Sequence, residues 1–159
     1  MIPIRFALFG DDARYAPIRA HADDACYDLL ARLYAEPEAP ADGKPRFSLT
    51  PNRRCLALTG LFLDLDPGWE AQVRPRSGNA LKLGLAILNS PGTVDAGYRN
   101  EVGVILHNAG QETIELKEGM RIAQIAFRPV PTHSLERIAT GDFSTATERG
   151  LGGFGSSGI

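Results

Sequence analysis

Cysteine is scarce: the 159 residues hold two, Cys26 and Cys55, with no metal-ligand spacing between them. They read as two small buried thiols in a reduced, cytosolic protein. Histidine is sparse too, and His21, His107 and His133 are too scattered to suggest a metal triad. No run approaches the ~18 apolar residues of a membrane span. The opening "MIPIRFALFGDDARY" lacks the apolar stretch and small-residue cleavage site of a signal peptide. The expectation is a soluble, cytoplasmic chain with no membrane partner. Neither sign of charge dominates, since 17 Lys+Arg against 19 Asp+Glu leave a net charge of −2. That balance excludes the footprint of a general nucleic-acid binder, and 23% charged residues exclude a disordered chain. Long amphipathic helices are missing as well; "DLLARLY" (28–34) allows at most two turns. There is no internal repeat.

What is present is turn chemistry and short apolar runs. Seventeen glycines and eleven prolines punctuate a chain that is 43% hydrophobic, ordinary for one globular domain. "IPIRFALF" (2–9) reads as an opening strand, and "FSLTPNRRCLALTGLFLDL" (47–65) as two apolar runs around a Pro-Asn turn. "WEAQVRPR" (69–76) sets Ala71 and Val73 against Gln72 and Arg74, the period of a half-buried strand. "EVGVILHN" (101–108) and "RIAQIAFRPV" (121–130) are strand-like. Short strands at roughly even spacing predict an all-β sandwich or barrel. "RLYAEPEAPADGKPR" (32–46) reads as a surface excursion. After Val130 periodicity dissolves. This suggests a folded unit over 1–130 and an irregular arm over 131–159 that serves the same function.

Five stretches carry chemistry. "ADDACYDL" (22–29) holds Asp23, Asp24 and Asp28, either a solvated acidic turn or hard oxygen ligands suited to Mg²⁺. "PRSGNALK" (75–82) offers a cation, a hydroxyl and a glycine that admits close approach; it reads equally as a plain Ser-Gly turn. "NSPGTVDAGYRNEVGV" (89–104) reads as a hairpin with Asp95 at its bend, either a turn former or a carboxylate base beside the Tyr98 ring. In "GMRIAQIAF" (119–127), Gln124 interrupts an apolar strand, or simply faces outward. "RGLGGFGSSG" (149–158) cannot pack a core, yet it carries Arg149 and Phe154.

In this order the five stretches resemble the motifs of the trimeric dUTPases, from about residue 20 to 158. The resemblance implies a jelly-roll-like β-sandwich of the dUTPase type with a flexible glycine-rich C-terminal arm. It implies hydrolysis of dUTP to dUMP and pyrophosphate by Mg²⁺-assisted attack of water on the α-phosphorus. Asp95 matches the base that deprotonates the water, and Asp28 the carboxylate that holds Mg²⁺ through water. Arg76, Ser77, Gly78, Gln124 and Arg149 match phosphate-binding residues. Gly92, Thr93, Val94, Asp95 and Gly103, with Asn89, match the walls of a narrow uracil pocket. Tyr98 matches the ring under deoxyribose, and Phe154, with Gly155 and Ser156, the flap that closes over the base. The family forms homotrimers with shared sites, which implies self-association.

Four residues depart from the family pattern: Cys26 and Asn100 stand where glycine is usual, Asn79 where an apolar residue is, and Thr93 where an aliphatic one is. None removes a group the mechanism needs. The related dCTP deaminases share the fold but use a glutamate base ten positions after the turn aspartate, where this chain has Ile105. A nucleotide-sensing regulatory protein on the same fold could dispense with Asp95 or the flap, and this chain has both.

Overall fold

The computed structural model describes residues 3–33 and 45–152. Ten strands follow one another: β1 (Arg5–Leu8), β2 (Tyr27–Leu30), β3 (Arg46–Leu49), β4 (Arg54–Asp64), β5 (Trp69–Arg74), β6 (Leu85–Ile87), β7 (Gly92–Asp95), β8 (Glu101–Asn108), β9 (Ile114–Lys117) and β10 (Arg121–Pro129). They build one sheet in the order β1-β4-β8-β6, a second in the order β2-β10-β5-β7, and a β3-β9 ribbon. Every ladder is antiparallel. The all-β reading therefore holds.

Alternation decides which face each strand buries. On β8, Val102, Val104 and Leu106 point inward; on β5, Ala71 and Val73 do. Leu29, Leu49, Leu61, Leu116 and Ile125 join them, so both sheets and the ribbon contribute to one apolar cluster. Burial of such side chains is worth about 1.5–3 kcal/mol each, which is what holds the two layers together.

Two local expectations need correction. Residues 28–30 are not helical: they belong to β2, which pairs with β10. A helix forms instead at α1 (Ser77–Leu83), directly after β5. It has no buried residue, so it shows no apolar stripe in the sequence. Its legible sign was Gly84, which ends it at φ 68 with its N–H on Ala80 O, the usual glycine stop. Nor do the strands around Asp95 and Tyr98 form a paired hairpin. β7 pairs with β5 in one sheet, while β8 pairs with β4 and β6 in the other. The turn between them, closed by Tyr98 N–H on Asp95 O, crosses from layer to layer.

β4 carries a bulge where its register against β8 shifts between Leu58 and Phe62. Gly60 sits in it at φ +70, and a Cβ there would stand 2.4 Å from Tyr15 Cγ. Tyr15 is itself buried, and its hydroxyl donates to Glu118 Oε1 at 2.5 Å. Burial, then that hydrogen bond, pushes its pKa up to about 12. Gly60→Ala meets both backbone strain and a clash, so it should cost about 2–4 kcal/mol. Calorimetry checks this; an unchanged Tm contradicts it.

Beyond β10 the described chain has no strand, only a short 3₁₀ turn at Thr140–Asp142. Its apolar side chains stay open: Leu135 is 99% exposed and Leu151 86%.

Candidate active site

Asp28, Arg76, Ser77, Gly78 and Gln124 come together at one end of the second sheet. They line a cavity of about 300 Å³ with Asp24 and Cys26. The register explains it. Gln124 lies opposite both Asp28 on β2 and Arg74 on β5, so the central strand β10 brings the motifs side by side. Gln124 donates Nε2–H to Pro75 O at 2.8 Å, tying β10 to the start of α1. Ser77 and Gly78 open α1, where backbone N–H groups lack intrahelical partners. Nothing lies within 4 Å of a Cβ built on Gly78, so packing does not require glycine there.

The Asp28 carboxylate is held by cations. Oδ1 accepts from Arg76 Nε at 2.8 Å, while Oδ2 has only longer approaches, 3.5 Å from Arg76 Nη2 and 3.4 Å from Arg121 Nε. Arg121 is a cation the sequence reading missed. It starts an ordinary-looking core strand, and only the β2–β10 pairing brings it to Asp28. Asn79 Nδ2 donates to Arg121 O at 2.8 Å, which gives that departure from the family pattern a structural task.

A second cavity, about 480 Å³, is lined by Asn89, Tyr98 and Gly103, together with Leu56, Glu101 and Ile105. No residue lines both cavities. At Gly92 a Cβ would stand 3.2 Å from Asn89 Nδ2, and at Gly103 one would meet Leu56 Cδ1 at 2.8 Å. On β7 the side chains alternate: Thr93 and Asp95 face out, and Val94 joins the core, leaving only its main chain for a ligand. The Tyr98 hydroxyl donates to Glu101 O at 3.0 Å. Arg99 donates to Ala96 O and pairs with Asp64, bracing the same turn.

Glu101 is the one carboxylate among the described residues lining this cavity, and it is already committed. Arg32 Nε and Nη2 donate to it at 2.8 and 2.6 Å, and Gly60 N–H at 2.6 Å. Burial pushes its pKa up, but those hydrogen bonds and the Arg32 charge pull harder, leaving it below its ordinary 4.5. The pair therefore contributes stability that is fully present above about pH 4.5 and lost as pH falls through the depressed native value. In thermal melts from pH ~6 to ~3, the parent should lose Tm more steeply than Arg32→Met/Glu101→Met. Parallel curves contradict this. Neither residue was legible as a pair: Arg32 is a lone cation in "DLLARLY", and Glu101 opens an apolar run.

Arg149 stays on the exposed arm, where its Nε donates to Gly152 O at 2.9 Å; it lines neither cavity. Phe154, Gly155 and Ser156 lie outside the described residues.

The family model dUTPase matches residues 14–158. The deoxyuridine 5'-triphosphate nucleotidohydrolase of Clostridium tetani (strain Massachusetts / E88) is 39% identical over 155 residues, covering 98% of this chain and 96% of that one. That of Rhizobium etli (strain ATCC 51251) is 47% identical over 137 residues, 86% of each. Among solved structures, the Staphylococcus bacteriophage 80alpha dUTPase with dUPNHPP has the same fold, at TM-score 0.76, 24% identity and full coverage of both chains. A dUTPase from phage phi11 of S. aureus with a structural Mg(II) ion gives TM-score 0.71 at 20% identity, covering 89% of this chain and 100% of that one. A family match over residues 14–158, with relatives this similar along nearly their whole length, means that the chain belongs to the dUTPase family.

Proposed function

We propose that this chain hydrolyses dUTP to dUMP and pyrophosphate, keeping uracil out of DNA and supplying dUMP for dTMP synthesis. The observation that carries the reading is the division of labour between the two cavities. One offers the guanidinium of Arg76, the Ser77 hydroxyl, the open Gly78 backbone and Gln124, donors suited to a polyphosphate. The other is framed by Asn89, Gly103 and Tyr98, and its one carboxylate among the described residues is tied to Arg32. Ile105 in that wall cannot move a proton, so the deaminase chemistry of the related enzymes lacks its base.

Asp95 orients and deprotonates the water that attacks the α-phosphorus. Arg76, Ser77, Gly78 and Gln124, joined by Arg149, bind the phosphates and hold the α-phosphorus in line. The main chain of 92–95 and Gly103, with Asn89, reads the uracil edge. Cytosine would leave a fixed donor unpaired there, a costly mismatch in a dry pocket. Phe154 stacks on the base, with Gly155 and Ser156 closing the flap. The hard oxygens of Asp28 fit Mg²⁺ held through water, since its Oδ2 keeps acceptor capacity for a metal-bound water. Among the described residues no cluster of three or more ligating side chains would cage an ion, as suits Mg²⁺ carried in by phosphates. When bound, such an ion would supply neutralisation of polyphosphate charge.

The active form is a homotrimer with shared sites. On β5, Asp95 lies opposite Glu70 and Gln124 opposite Arg74, four residues along and on opposite sides of the strand. That is roughly 13 Å along the strand alone, whereas a base must come within ~3 Å of its proton. The separation supports a site completed by a second copy, and the exposed apolar residues of the 131–152 stretch support an arm that docks on a neighbour. The expected location is cytoplasmic; among the described residues no helix is long and apolar enough to cross a membrane.

Turnover with dUTP and dCTP side by side, reading pyrophosphate and ammonia separately, tests the reading. Pyrophosphate from dUTP alone is expected; ammonia from dCTP overturns it. Tyr98→Ala should raise the UTP/dUTP ratio of kcat/KM, because the ring no longer meets a 2′-hydroxyl. An unchanged ratio counts against that role.

A further inference from the structure

One residue in the wall of the base cavity, Glu101, and one behind it, Arg32, form a buried charge pair that the proposed mechanism does not use. The Arg32 and Glu101 side chains are each 8% exposed and meet fork to fork. Replacing such a pair with apolar residues of similar volume is often neutral for stability. Stability alone therefore does not account for charge here, and what the pair fixes is direction. Glu101 takes two bonds from Arg32 and one from the Gly60 N–H in the β4 bulge. Its own N–H donates to Asn100 Oδ1 at 2.8 Å, and its carbonyl accepts the Tyr98 hydroxyl. At the far end Arg32 is anchored by its N–H on Leu58 O at 2.8 Å, and its guanidinium lies 3.8 Å from the Phe9 ring centroid. An apolar pair could fill the same volume but would not aim the carbonyl that holds Tyr98.

We propose that Arg32 and Glu101 are positioning residues for Tyr98, setting the ring against which deoxyribose is distinguished from ribose. The sugar part rests on the reading of that cavity given above; the positioning part does not. The bulge is common ground. Thr59 holds the same bulge through its side chain, whose Oγ1 donates to Val102 O at 2.7 Å; only its backbone N–H, which substitution leaves in place, donates toward the Glu101 carboxylate.

The test compares parent, Arg32→Met/Glu101→Met, Glu101→Gln and Thr59→Val. Ring signals of ¹³C-tyrosine are recorded without ligand, Tyr98 being assigned through Tyr98→Phe. KM and kcat are then measured with dUTP and UTP. The double variant should displace or broaden the Tyr98 signal, raise KM for dUTP about tenfold and raise the UTP/dUTP ratio of kcat/KM at least about threefold. Glu101→Gln, which keeps the shape and one acceptor oxygen, should fall between it and the parent; it carries the same readings if the double variant does not fold. Thr59→Val should keep the parent's signal and ratio. A parent-like Tyr98 signal and ratio without the pair overturn the proposal, whatever happens to stability. So does an equal shift in Thr59→Val, since the effect would then belong to the bulge. If the parent releases no pyrophosphate from dUTP, the functional reading fails, and the ring signal still decides whether the pair positions Tyr98.

Discussion

Asp95→Asn should lose roughly 10²–10⁴ in kcat, the usual range for removing a general base, while binding Mg-nucleotide about as tightly as the parent. Asparagine keeps the size of the side chain and the turn-forming habit that position 95 needs, since Tyr98 N–H closes the turn on the main-chain carbonyl of residue 95. Only the basic oxygen goes. Asp95 faces outward at the end of β7, so no core contact is lost with it. Single-turnover kinetics separate the chemical step from binding, and calorimetric titration with a non-hydrolysable dUTP analogue measures affinity. A variant that keeps more than half of the parent's kcat would show that another group takes the proton.

Deleting 149–159 should leave the sandwich folded yet lower kcat strongly, on the order of 10²-fold or more, because closure orders the phosphates for attack. No residue from 131 to 152 belongs to the apolar core, so the melting profile should barely move. In the proposed mechanism the deletion removes Arg149 from the phosphates and Phe154 from the base. An exposed arm reaches at most ~3.3 Å per residue when extended, ample to cross to a neighbouring copy. Complementation decides whether it does. On the proposed trimer, refolding the deletion variant together with Asp95→Asn gives mixed assemblies in which one chain would supply Asp95 and another the tail. Activity well above the sum of the two parents supports a shared site. Silence, with mixed trimers confirmed by native mass spectrometry, means that the tail serves its own subunit.

Much of this was legible where the physics is local. The alternation in 69–74 and the apolar runs at 101–108 and 121–129 became β5, β8 and β10, because a two-residue period on one buried face is visible without knowing the partner strand. Where partners decide, sequence reading stopped short. Residues 28–30 have the composition of a short helix, but pairing with β10 makes them a strand. The stretch around Asp95 looks like a hairpin, yet its two arms choose different sheets. The helix at 77–83 buries nothing and so leaves no period to find. The site divides the same way. Asp28, Arg76 and Gln124 came from motif order, and the β2-β10-β5 register brings them to one cavity. Arg121, Arg32 and Glu101 were invisible because each acquires its meaning from a residue dozens of positions away.

Water delivered to the α-phosphorus of a uracil nucleotide leaves its oxygen on that phosphorus, and isotope placement reads it out. Turnover of dUTP with Mg²⁺ in H₂¹⁸O, followed by mass spectrometry of both products, locates the attacked atom. One ¹⁸O in dUMP and none in pyrophosphate is the expected result. Label in pyrophosphate, or release of dUDP with labelled phosphate, would contradict it.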